Sequence, residues 1–139
     1  MSSRRRAREV ALKTLYQIEI TESPWQKLFQ ENSQQDNLDK ISQEFARNLV
    51  QKVLEHQEKL DNLIKAKLEH WDFERVNIMD KNVLRIALAE MLFFPEIPVK
   101  VSMDEAIELA KKYSYTEAGA FVNGILDAIA KSSKEIISR

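Results

Sequence analysis

The chain has no cysteine, only two glycines and three prolines among its 139 residues, and just two histidines. Without a thiol there is no disulfide, no thiolate nucleophile and no cysteine-based metal site. His56 and His70 do not have the spacing of metal ligands. So little turn punctuation disfavours a sheet of short strands, and the composition points to an all-α protein. No apolar run reaches the ~20 residues of a membrane span. The basic N-terminus leads into an amphipathic segment and not into the apolar core of a signal peptide. A cytoplasmic protein is expected. No phosphate-binding loop, dinucleotide fingerprint, serine elbow or pair of catalytic carboxylates is found, so neither catalysis nor a cofactor is expected.

What is present begins with a centre. Asn77 to Phe94 reads NIMDKNVLRIALAEMLFF, and from Val83 onward only Arg85 and Glu90 interrupt the apolar residues. A helix apolar around most of its circumference is a buried one. Asn77 is its expected N-cap, with Asp80 placed to return a bond, and Pro95 stops it. The other helices must form walls around it. With 44% hydrophobic and 31% charged residues the chain is ordinary for a folded domain. The expectation is one domain, 1–139, of about seven helices in two packed halves, 1–70 and 71–139.

Ser3 to about Ile20 reads as a helix with Ala7, Val10, Ala11, Leu15 and Ile18 inward. Ser23-Pro24 is a helix start, followed by the stripe Trp25, Leu28 and Phe29. A long pattern runs from Asp39 through Leu68 without glycine or proline, with a bend expected near His56. Trp71 and Phe73 anchor the turn into the central helix. Ser102-Met103-Asp104-Glu105 has the form of a capping box, which accounts for Glu105, while Asp104 suits a helix N-terminus and Glu108 a solvated face. Thr116 is the expected cap of the last helix, whose stripe is Phe121, Val122, Ile125, Leu126 and Ile129. Gly124 in that helix is expected at a close helix–helix contact, and Asn123 at a neighbouring loop.

Net charge is −1, but its distribution is uneven. Residues 1–13 carry five cations, Arg4, Arg5, Arg6, Arg8 and Lys13, against Glu9 alone. The rest of the chain is acidic. Clustered guanidinium groups match phosphate geometry and give salt-dependent affinity for nucleic acid. The plain alternative is a solvated terminal arm. Tyr16 follows Arg5 by eleven residues, which returns it to within about 20° on a helix. One strip thus offers cations and a ring suited to stacking on an unpaired base. A tyrosine at the edge of the core is the plain reading of the same residue.

Four blocks occur in one order: RRRARE and ALKTLYQ within Arg4–Gln17, DKNVLRIALAEM at Asp80–Met91, IPVKVSMDEAIELAKKY at Ile97–Tyr113, and FVNGILDAIA at Phe121–Ala130. Together they closely resemble the bacterial transcription antitermination family NusB, over essentially the whole chain. The resemblance implies an all-helical factor that binds boxA RNA of ribosomal-operon leaders. It does so with ribosomal protein S10 (NusE), and the assembly acts on RNA polymerase against premature termination. It also implies that Arg4, Arg5, Arg6, Arg8, Tyr16 and Phe121 contact RNA, and that Glu117 modulates the affinity. Asp80 and, less directly, Arg75 are implied for the NusE contact. The family occurs as monomers and as homodimers, and both stay open. Two alternatives belong to other classes. One is a helical protein-interaction adaptor without RNA binding. The other is a relative of the N-terminal part of rRNA cytosine methyltransferases, which continue into a Rossmann-like domain with a nucleophilic cysteine; this chain ends at Arg139 without one.

Overall fold

The structure is a computed structural model that describes residues 3–69 and 72–138; His70 and Trp71 lie outside the described residues. Its elements are α1 (Ser3–Ile20), α2 (Trp25–Gln35), α3 (Lys40–Glu55), α4 (Gln57–Lys65), a 3₁₀ turn (Phe73–Arg75), α5 (Ile78–Phe93), α6 (Val99–Tyr113), α7 (Ala118–Ser132) and the single turn α8 (Lys134–Ile137). The described residues contain no strand. The all-α expectation is met, with seven helices and a short closing turn.

α5 is the centre that its apolar run predicts. It packs against α1, α3, α4, α6, α7 and α8. Asn77 Oδ1 accepts a bond from the Asp80 backbone N–H at 2.8 Å, closing one of the orphan donors of the first turn. The Asp80 carboxylate in turn accepts from the Asn77 side-chain amide at 3.2 Å. One continuous cluster of buried apolar side chains extends from Ala7 in α1 to Ile136 in α8. Fully buried members such as Leu49, Leu84, Leu88 and Leu126 each contribute roughly 1.5–3 kcal/mol of transfer free energy.

The expected bend at His56 is a break between two helices. His56 leaves the helical region, at φ −117° and ψ 19°. Its ring stacks on Phe93 of α5, with centroids 4.3 Å apart and planes 25° apart. The break allows α3 to bury Leu49 and Val53 and α4 to bury Leu60 and Ile64 against the same central helix. Asp39 caps α3 by accepting from the Ser42 N–H at 2.8 Å.

Several local expectations are corrected. α2 starts after Pro24, without a side-chain cap, so Ser23 does not cap it. α6 starts three residues before Ser102, after Pro98. Ser102 is therefore inside the helix, and its hydroxyl donates to Glu90 instead of capping. Thr116 is not the cap of α7: Glu117 holds that position without a side-chain bond, and the start is closed by Ala118 N–H to Tyr115 O at 2.9 Å. The close approach of α7 to α6 lies at Gly119, where a Cβ would meet Ile107 and Lys111 at 3.1–3.2 Å. Gly124 faces open space, and Asn123 beside it is exposed.

Candidate nucleic-acid interface

The N-terminal arm belongs to α1, and the structure divides its cations between two flanks. Helical spacing sends alternate side chains to different neighbours. On the α6 side, Arg5 reaches the Glu105 carboxylate, with Nη2 to Oε2 at 2.7 Å and Nε to Oε2 at 3.1 Å. This carboxylate holds the Arg5 pKa above its ordinary value. On the α2–α3 side, the Arg4 guanidinium lies 4.6 Å from the Phe45 ring centroid, and Arg6 donates to the backbone carbonyl of Asp36. Lys13 extends that flank with a bond to Gln35 at 2.8 Å.

Arg8 is different in kind. It is only 3% exposed and donates twice to Glu90, from Nε at 2.7 Å and Nη2 at 2.8 Å. Ser102 Oγ gives Glu90 a third bond at 2.9 Å, and Glu105 lies 3.5 Å from Arg8 Nη1. A buried carboxylate is tolerated only when so surrounded by donors. Arg8 thus locks α1 to α5 and α6, and the outward cations of the arm are Arg4, Arg5 and Arg6.

Further along α1 the α6-side strip passes Glu9, which accepts from Lys112 at 2.7 Å. That bond raises the Lys112 pKa, while burial and the charge of Glu9 raise that of Tyr113. The strip ends at Tyr16, half-buried in a shallow groove of about 630 Å³. Tyr113 and Tyr115 form one side of the groove, and Arg75, Asn77 and Lys81 another. The structure therefore brings Tyr16 and Arg75 to one place, although 59 positions separate them in sequence.

Asp80 stands just behind this groove at the start of α5, 2% exposed. Burial raises its pKa against the bonds from Ser114 and Asn77, and its Oδ1 has no hydrogen-bond partner among the described residues. Phe121 is half-buried on α7 and packs on the core, and it does not line the Tyr16 groove. Glu117 is exposed at the N-cap of α7. Sequence reasoning missed Glu105, Glu9, Tyr113 at the end of α6 and Tyr115 just after it as neighbours of α1. Arg5 meets Glu105 across 100 positions, and no local pattern announces such a pair.

Among the described residues no group of acidic and histidine side chains could hold a metal, and no helix is long and apolar enough to cross a membrane.

Residues 5–131 match the model of the NusB family. The transcription antitermination protein NusB of Elusimicrobium minutum is 41% identical over 136 residues, covering 96% of this chain and 97% of that protein. The solved structure of T. maritima NusB superposes with a TM-score of 0.88 at 40% identity, covering 98% of this chain and 97% of that one. The crystal structure of antitermination factors NusB and NusE in complex with dsRNA gives a TM-score of 0.85 at 32% identity, covering 94% and 98%. With a family model spanning nearly the whole chain and relatives of matching length, this chain belongs to the NusB family.

Proposed function

We propose that this chain is an RNA-binding transcription antitermination factor of the cytoplasm. It binds boxA-type RNA together with ribosomal protein S10 (NusE) and helps RNA polymerase pass premature stops. The observation that carries the reading is the basic end of α1, with Arg4, Arg5 and Arg6 outward and Tyr16 further along the same helix. The remainder of the chain is acidic, which confines phosphate attraction to that end. Arg4, Arg5 and Arg6 supply phosphate contacts, whereas Arg8 holds the helix that carries them. Tyr16 and Phe121 stack on bases, and Glu117 lowers affinity by repelling phosphate. Arg75, beside the Tyr16 groove, meets NusE, and the buried Asp80 acts on that contact from behind, through its bonds to Asn77. Binding of RNA and of NusE then reinforce each other by linkage. The halves 1–70 and 71–139 contribute the arm and most of the groove wall respectively.

The test is binding of a boxA-like RNA, with and without NusE, to the wild type, Arg5→Ala/Arg6→Ala and Tyr16→Ala. Loss of two phosphate contacts is expected to weaken every RNA and to flatten the salt slope by about 1–2. Loss of the ring is expected to cost about 1–3 kcal/mol, mostly of boxA preference. A wild type that ignores RNA even with NusE present would overturn the reading in favour of a protein-only adaptor.

A further inference from the structure

A second groove lies between α2 and α3, on the opposite flank of the arm from Tyr16. Its volume is about 350 Å³, within the ~300–1,000 Å³ typical of small-ligand sites. On its wall the Arg47 guanidinium lies 5.1 Å from the Phe29 centroid, and Trp25 meets Phe29 edge-on at 6.4 Å. Four amides, Gln26, Gln30, Gln34 and Gln43, line it, and none of the lining residues is acidic. On its floor Ser33 is 3% exposed, and its Oγ has no hydrogen-bond partner among the described residues. A buried hydroxyl left unsatisfied calls for an explanation, and an external partner supplies one. The groove also continues from the arm. Arg6 grips the Asp36 carbonyl at the end of α2, and Gln43 donates to Leu38 in the same α2–α3 connection at 2.9 Å.

We infer that the α2–α3 groove is a subsite for one unstacked nucleobase of the bound RNA, lying beyond the arm. The inference rests on the RNA-binding reading and extends it to a second flank. The chemistry matches the occupant. A flat base stacks on an aromatic or guanidinium face, and its polar edge pairs with side-chain amides that both donate and accept. The RNA backbone passes Arg4 and Arg6 on the way, so the phosphates meet cations before the base meets the groove. A basic peptide would face Arg47 without a carboxylate, and an aliphatic one would leave four amides unpaired.

Two RNAs test this on the full-length protein: a short boxA-like oligonucleotide, and the same sequence extended by a few nucleotides at each end. The wild type is expected to bind the longer RNA on the order of tenfold more tightly. In a Trp71→Phe background, Trp25 emission is expected to be quenched by the long RNA only. Trp25→Leu and Gln26→Ala/Gln30→Ala are expected to lose the gain on the long RNA while keeping affinity for the short one. The glutamine variant replaces exposed side chains by a better helix former, so its folding is secure even if the tryptophan variant fails. Equal binding of the two RNAs by the wild type, with unchanged Trp25 emission, overturns the subsite and leaves the arm reading intact. Binding of neither RNA overturns both. Quenching by a free nucleoside monophosphate as strong as by the long RNA assigns the groove to a soluble nucleotide and refutes the RNA subsite.

Discussion

Removal of the Arg8 side chain should show whether this cation is structural. In the folded chain Glu90 is 1% exposed and receives two short bonds from Arg8 and one from Ser102. Arg8→Ala leaves a buried carboxylate with the Ser102 hydroxyl alone, and also takes a neighbouring charge from Glu105. Breaking a buried pair in this way costs about 3–5 kcal/mol, because the remaining charge keeps its desolvation penalty without its partner. For a domain of this size each kcal/mol lowers Tm by roughly 3–5 °C, so a fall of about 10–20 °C is expected. Urea and thermal melts read the change directly. Arg8→Met combined with Glu90→Leu removes both charges and is expected to be more stable than either single variant, and the full cycle with wild type and both singles measures the coupling. At a temperature where Arg8→Ala is folded, its RNA affinity should fall less than that of Arg5→Ala/Arg6→Ala. A melt of Arg8→Ala within about 1 kcal/mol of wild type would refute the assignment.

Glu105→Gln removes the carboxylate that engages Arg5, so RNA binding is expected to tighten a few-fold with a salt slope steeper by about 1; unchanged binding would remove Glu105 as a competitor of phosphate. Gly124→Ala places a methyl in open space within a helix and is expected to stabilise by about 1 kcal/mol in urea melts, whereas Gly119→Ala should destabilise because Ile107 and Lys111 must move. Burial raises the Asp80 pKa, so the folded chain binds this proton more tightly than the unfolded one. Its contribution to stability therefore falls as pH rises from the ordinary carboxylate range through the raised value. Asp80→Asn is expected to gain on wild type as pH rises above the ordinary carboxylate range, and parallel profiles of the urea midpoint would contradict that. Asp39 has a lowered pKa through its bond from Ser42, so its cap contributes above the ordinary carboxylate range and is lost as pH falls through the depressed value. Asp39→Ala should lower the urea midpoint at neutral pH and change it little in acid.

What the sequence revealed and what it hid differ by range of interaction. α5 was legible because an apolar run ended by Asn77 and Pro95 has one sensible reading, and the Asn77 cap is a local hydrogen bond. The helix break at His56 had no glycine or proline to mark it; it goes with packing on Phe93, 37 residues away in order. Ser102-x-x-Glu105 looked like a capping box because its letters are those of one. The helix had already begun at Val99, and both side chains serve distant partners, Glu90 and Arg5. The arm was visible as charge, but no periodicity separates the outward Arg6 from the buried Arg8. That distinction depends on a carboxylate 82 residues later. Gly124 misled because a glycine in a helix suggests a tight contact, while the contact lies five residues earlier.

The two charges that interrupt α5 have a consequence for orientation. A helix buried on every side has little preference for one rotation about its axis or one end-to-end direction over another. Arg85 and Glu90 are about 140° apart around α5, and each finds its opposite on α1: Arg85 meets Glu19 at 2.5 Å and Glu90 meets Arg8 at 2.7 Å. Asp61 of α4 adds a second acceptor for Arg85 at 2.7 Å. An end-for-end reversal of one helix would bury Arg8 beside Arg85 and Glu19 beside Glu90. The two interruptions thus act as a polarity key, admitting one alignment of α1 on α5 and so fixing which end of the molecule presents the cationic arm.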